Sequence, residues 1–170
     1  FWNNMPVCQG IIHNASSYAR DTLDDFSVAQ LRAHMAVNFE APMLLTQGFM
    51  KQLPAGEVGS VVLLGDDAIR WSVAPQFFTY AVSKHAWRSV LDLLASACAP
   101  RARVNLVALA PTLPGSTDTP EMFTRLAEAA ALQRTGTIAE VPSAVAFAPT
   151  RLTGQVVGLG NGMALATRRV

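Results

Sequence analysis

Short apolar runs alternate with longer amphipathic stretches along this chain, and that alternation restricts its fold more than any single residue does. The run GIIHNA, from Gly10 to Ala15, is branched and apolar and ends in polar residues, as a buried strand does where it leaves a sheet. From Ser27 to about Leu53 the residues Leu31, Met35, Phe39, Met43, Leu44 and Phe49 recur at helical spacing, until Pro54 and Gly56 end the pattern. SVVLLG, from Ser60 to Gly65, reads as a second strand. Asp66 to Phe78 reads as a loop, and Thr79 to Ala99 as a helix packed through Val82, Trp87, Val90, Leu91 and Leu94. VNLVAL, from Val104 to Leu109, is a third strand. The loop APTLPGSTDTP leads to a helix from about Pro120 to Gln133, TIAE (Thr137 to Glu140) fits a capping box, and GQVVGLG (Gly154 to Gly160) closes the pattern as a strand. Strands alternating with helices predict an α/β domain on a mainly parallel sheet, with ligands bound along the carboxyl edge of the strands.

Composition removes several classes of function. With 170 residues and no low-complexity linker, the chain reads as one domain, 1–170. Lysine and arginine (13) nearly balance aspartate and glutamate (12), and no basic run is long enough to follow a phosphate backbone, so no nucleic-acid partner is expected. No apolar run reaches membrane-spanning length and the first residues do not resemble a secretory signal, so a cytoplasmic protein with no membrane partner is expected. Cys8 and Cys98 lack any metal-ligand spacing and read as reduced packing residues. His13, His34 and His85 are likewise scattered, and no metal site is expected. A charged fraction of 15% is low for a free monomer and points to a homo-oligomer.

The chemistry concentrates in FTYAVSKHAW, where Tyr80 and Lys84 stand four residues apart and share one helix face. A free phenol holds its proton too tightly for acid/base work at neutral pH, and a nearby ammonium favours the phenolate. Asp67 lies thirteen residues before Tyr80, just after the second strand, with Asp66 beside it as a rival; Asn38 sits within the long helix and Asn14 follows the first strand. Asn38, flanked by Val37 and Phe39, is costly to bury without partners. Trp71 and Phe77 precede Tyr80 and suit either a wall for a flat ring or a lid on the core. Met43, Met50 and Phe49 read as helix packing, and Arg168 and Arg169 as solvated.

Taken in order, these segments resemble the short-chain dehydrogenase/reductase family. HNAS (His13 to Ser16) resembles its NNAG segment, VNFEAPMLL (Val37 to Leu45) its asparagine-bearing helix, and YAVSK its YxxxK pair. RVNLVALAPTLPG (Arg103 to Gly115) resembles its strand and proline loop, and TGQVVGLGNGMAL its closing strand. The resemblance implies a Rossmann-type doubly wound parallel sheet. It assigns catalysis to Tyr80, Lys84, Asp67 and Asn38, with Tyr80 as proton donor, Lys84 lowering its pKa and holding the cofactor ribose, and Asn38 placing a water in the proton relay. It assigns cofactor contacts to Asn14, Ala15, Ser16, Tyr80, Lys84, Pro111 and Thr112. An aspartate where the family usually has serine resembles its pteridine-reductase-like branch. That likeness implies NADPH (or NADH) as cofactor and a pterin or dihydrofolate-like ring as small-molecule substrate. A dimer or tetramer is implied as well.

Three departures accompany the likeness. No glycine-rich turn precedes the first strand, so the sequence is expected to be the carboxyl-terminal part of such a fold, incomplete at the amino-terminal side. Thr112 stands where the family has glycine, and Pro142 is expected to interrupt the short helix after the capping box. Two other functions compatible with these residues are a non-catalytic remnant of the fold, acting as a binding or oligomerisation module, and a carbonyl or alcohol reductase.

Overall fold

The computed structural model describes residues 6–67, 75–114, 119–148 and 150–166, with the backbone alone at 164 and 166. Trp71, Arg168 and Arg169 lie outside the described residues. Four parallel strands, β1 (Gly10–His13), β2 (Gly59–Asp66), β3 (Ala102–Leu109) and β4 (Val156–Leu159), form one sheet in the order β1-β2-β3-β4. Gly10 pairs with Ser60, Gly59 with Ala102, and Leu106 with Val156. The two central strands, β2 and β3, are buried on both faces, which is why they are almost uninterrupted apolar runs.

On one face lie α1 (Val28–Met35), a π-helical turn (Ala36–Glu40), α2 (Ala41–Gln52) and α3 (Phe78–Cys98). Their core is built on Phe49, Leu63, Trp87, Leu91, Val104 and Leu106. On the other face α5 (Glu140–Phe147) sets Ala144 and Ala148 against Val62 and Val107. The amphipathic α4 (Pro120–Ala129) precedes α5, and α6 (Met163–Ala166) follows β4.

Two expectations change in instructive ways. The single long helix expected from Ser27 to Leu53 contains a π-helical turn, in which the Ala41 N–H reaches back five residues to the Ala36 carbonyl. Pro42 supplies the reason: it has no N–H to offer the carbonyl four residues earlier, that of Asn38, and its ring crowds that carbonyl. Pro142, expected to disturb its helix, is the third residue of α5, where backbone N–H groups have no helical partner to lose. Half of the expected capping box is present, the Glu140 carboxylate accepting from the Thr137 N–H at 2.8 Å.

Candidate active site

The site is assembled where β1, β2 and β3 end. Asn14, Ala15 and Ser16 follow β1 and are exposed, while Pro111 and Thr112 follow β3 and are half-buried. The Thr112 hydroxyl donates to the Ala110 carbonyl at 2.8 Å, and the Gly136 N–H to the Pro111 carbonyl at 3.0 Å. The Thr112 position thereby has a defined loop of its own without the family's glycine. A Cβ at Gly136 would lie 2.9 Å from the Thr112 hydroxyl, so the two segments meet closely.

α3 contributes Tyr80, Ser83, Lys84 and Trp87, spaced so that all four fall on one side of the helix. Lys84 is only 6% exposed; its ammonium donates to the Leu64 carbonyl at 3.4 Å and lies 5.7 Å from the centre of the Tyr80 ring. Burial lowers the Lys84 pKa, and the Asp66 carboxylate acts in the opposite sense.

The Tyr80 hydroxyl donates to Asp66 Oδ2 at 2.9 Å. Asp67, expected beside Tyr80, is instead 1% exposed and turned toward the loop after β4: a Cβ on Gly160 would fall 1.7 Å from its Oδ2. Consecutive residues leaving a strand point in different directions, so only one of two adjacent aspartates can reach α3, and residue spacing alone does not say which. The expected lowering of the Tyr80 pKa is also reversed. Burial first, then the charge and hydrogen bond of Asp66, then Tyr18 all push it well above the ordinary tyrosine value, because a carboxylate touches the phenol while the ammonium is spent on a backbone carbonyl.

Asn38 is 2% exposed and satisfied in full. Its Oδ1 accepts from the Ser17 N–H at 2.7 Å and the Ser16 hydroxyl at 3.2 Å. Its amide donates to the Ser17 carbonyl and to the Ser83 hydroxyl, both at 2.9 Å. Ser83 in turn donates to the Tyr80 carbonyl at 2.7 Å. The side chain therefore bridges the loop after β1 to α3. The Asn38 carbonyl, left without a helical donor by Pro42, accepts from Trp87 Nε1 at 2.8 Å. The sequence assigns Asn38 a water to hold, and the structure gives it four hydrogen bonds to protein through its side chain and a fifth through its carbonyl.

Tyr18 is a site residue that sequence reasoning missed. Its ring stands edge to face with Tyr80, centroids 4.7 Å apart, and stacks on Phe77 at 4.5 Å, with 53% of the residue exposed. The signal was present as an aromatic four residues after Asn14, but nothing in the spacing shows that the loop folds back over α3. Asp21 holds that loop there: its Oδ1 accepts from the Thr79 N–H at 2.9 Å, its Oδ2 accepts from the Thr79 hydroxyl, and the same hydroxyl meets His34 Nδ1 at 2.8 Å.

A parallel α/β sheet with a tyrosine, a buried lysine and a carboxylate gathered at its carboxyl edge defines a Rossmann-type domain with the makings of an acid/base centre. At this edge Asn14, Ala15 and Ser16 are exposed after β1, and the Lys84 ammonium reaches the Leu64 carbonyl of β2, so polar groups that suit a dinucleotide's ribose are present there. A family profile described as "Enoyl-(Acyl carrier protein) reductase", of the short-chain dehydrogenase type, matches residues 4–163. The chain belongs to the short-chain dehydrogenase/reductase family.

Among solved structures the chain is similar to FolM Alternative dihydrofolate reductase 1 from Brucella canis complexed with NADP, at 34% identity and a TM-score of 0.88, covering 96% of this chain and 66% of that one. The Brucella suis protein of that name, in complex with NADP, gives the same values: 34% identity, TM-score 0.88 and coverage of 96% and 66%. The promiscuous reductase LugOII, which catalyses keto-reduction at C1 during lugdunomycin biosynthesis, is 27% identical with a TM-score of 0.80, covering 92% of this chain and 64% of that one. The chain thus spans just under two thirds of the length of these structures. No curated protein matches it. Among the described residues no helix is long and apolar enough to cross a membrane.

Proposed function

We propose that the protein is an NADPH-dependent reductase of a pterin or dihydrofolate-like ring, in which Tyr80 is the proton donor and Asp66 takes the place of the family's serine. The observation that carries this reading is the 2.9 Å hydrogen bond from the Tyr80 hydroxyl to Asp66 Oδ2. A serine hydroxyl donates to a substrate carbonyl, whereas an ionised carboxylate only accepts. It therefore suits a ring that offers N–H groups, and it keeps the Tyr80 proton in place until a ring nitrogen takes it. The Brucella proteins named for dihydrofolate reduction support the same substrate class.

The cofactor, when bound, supplies hydride to the ring carbon. Lys84 would hold its ribose, and its ammonium, 5.7 Å from the centre of the Tyr80 ring, would offset the phenolate formed as Tyr80 releases its proton. Asn38 fixes the Ser16–Ser17 segment against α3; Asn14, Ala15 and Ser16, together with Pro111 and Thr112, would hold the cofactor. Tyr18, half-exposed beside Tyr80, forms the aromatic wall for the ring.

A ketone is the second substrate class, favoured by the likeness to LugOII. The two are separated by supplying NADPH with either a dihydropterin or a small cyclic ketone and asking which oxidation depends on Asp66. Faster Asp66-dependent turnover of the dihydropterin is expected, and turnover of the ketone alone would overturn the ring assignment. We place the protein in the cytoplasm, where Cys8 and Cys98 stay reduced. We assign it a homo-oligomer formed through the outer faces of α2 and α3, where Leu44 and Leu93 are 67% and 70% exposed. Light scattering on the purified protein tests the latter.

A further inference from the structure

We infer that Arg20 recognises an anionic group carried by the substrate beyond its flat ring; the inference rests on the ring-reductase reading above. The Arg20 guanidinium lies over the Phe77 ring, 4.8 Å from its centroid. Phe77 stacks on Tyr18 at 4.5 Å, and Tyr18 meets Tyr80 at 4.7 Å. Three contacts of less than 5 Å therefore lead from the proton donor to an exposed cation at the mouth of the site.

The backbone that carries the cation is also held in place. The Arg20 carbonyl accepts from Gln30 Nε2 at 3.0 Å, and the next residue, Asp21, pairs its backbone on both sides, its N–H to the Gln76 carbonyl at 3.2 Å and its carbonyl from the Phe78 N–H at 3.1 Å. A guanidinium lying on an aromatic face keeps its N–H donors at the edge, directed away from the ring, which is the presentation that takes a carboxylate or phosphate in the plane of the fork. Of the neighbouring acids, Asp21 is committed to Thr79, and Asp25 to the N–H and hydroxyl of Thr22 at 2.6 and 2.8 Å. Among the described residues no ion pair engages Arg20. An exposed guanidinium that already rests on an aromatic face loses less freedom on pairing than one free in solvent.

The inference is tested by calorimetric titration of the protein expressed from its complete reading frame, saturated with NADP, with three probes: pterin, folic acid and neopterin monophosphate. The first is uncharged at neutral pH, the second carries carboxylates and the third a phosphate. In Arg20→Gln the affinity of folic acid or of neopterin monophosphate, relative to pterin, is expected to fall about tenfold, as for loss of one charge-assisted pair. Arg20→Lys, which keeps the charge and loses the fork, is expected to recover part of it. The probe that loses affinity tells carboxylate from phosphate. Unchanged relative affinities for both anionic probes, with pterin still bound, would overturn the role of Arg20 and leave the reductase reading standing. Failure of the unaltered protein to bind any of the three would overturn both.

Discussion

The Tyr80 hydroxyl donates a hydrogen bond of 2.9 Å to Asp66, so the candidate proton donor is held in its protonated form by burial and by this carboxylate rather than drawn toward phenolate by Lys84. Removing the negative charge removes part of the force that keeps the proton on. In Asp66→Asn the Tyr80 pKa is expected to fall, and the alkaline limb of the rate profile to move to lower pH with it. The profile of kcat against pH, read beside a spectrophotometric titration of tyrosinate, checks the shift. The same substitution at Asp67 is expected to leave the limb where it is.

Asp67 and Gly160 occupy the same space. A Cβ at residue 160 would sit 1.7 Å from Asp67 Oδ2, so Gly160→Ala is expected to cost about 1–3 kcal/mol by overpacking. Shortening the side chain in Asp67→Ala/Gly160→Ala is expected to return part of that loss, and denaturant unfolding of the four proteins in the cycle measures it.

Pro42 and Trp87 act on one carbonyl. Trp87→Phe leaves the Asn38 carbonyl buried without a donor, an expected cost of about 1–3 kcal/mol. Pro42→Ala restores the missing backbone N–H, so adding it to Trp87→Phe is expected to destabilise less than it does alone. A double-mutant cycle without coupling would contradict the shared carbonyl.

Lys84 is buried with its pKa lowered from the ordinary 10.5. Between the folded value and 10.5 the unfolded chain binds the proton and the folded chain does not, so stability rises with pH through that window and the cost of the buried charge is fully present below it. Lys84→Met is therefore expected to melt at a higher temperature at pH 7, with the advantage gone above about pH 10.5, while reductase activity is lost. His13, lowered from 6.5 to about 4 by burial, follows the same sign: stability is expected to decline as pH falls from 6.5 to 4. His13→Gln flattens that decline in denaturant unfolding at the two ends of the range.

The sheet and its helices were legible because a buried parallel strand must be apolar throughout and its crossover helix must be amphipathic, and the buried-strand pattern survives in SVVLLG and VNLVAL. The sharing of one helix face by Tyr80 and Lys84 was legible for the same reason, since helical spacing fixes it. What spacing does not carry is the direction of a side chain once the strand has ended, which is why Asp66 and Asp67 exchanged places. Nor does it carry the return of a loop across the sheet edge, which brings Tyr18 and Arg20 beside α3 through Asp21 and Thr79. The π-helical turn was readable in principle from Pro42 four residues after Asn38, but its consequence, the Trp87 hydrogen bond, joins residues 49 apart.

The most direct measurement is the rate of NADPH oxidation with a dihydropterin by the protein expressed from its complete reading frame and by its Tyr80→Phe variant. Turnover that falls at least about a hundredfold in the variant, with the affinity for NADPH retained, is the expected result. A variant as fast as the unaltered protein, or the absence of any NADPH oxidation by either, would contradict the assignment of Tyr80 as the proton donor of a ring reductase.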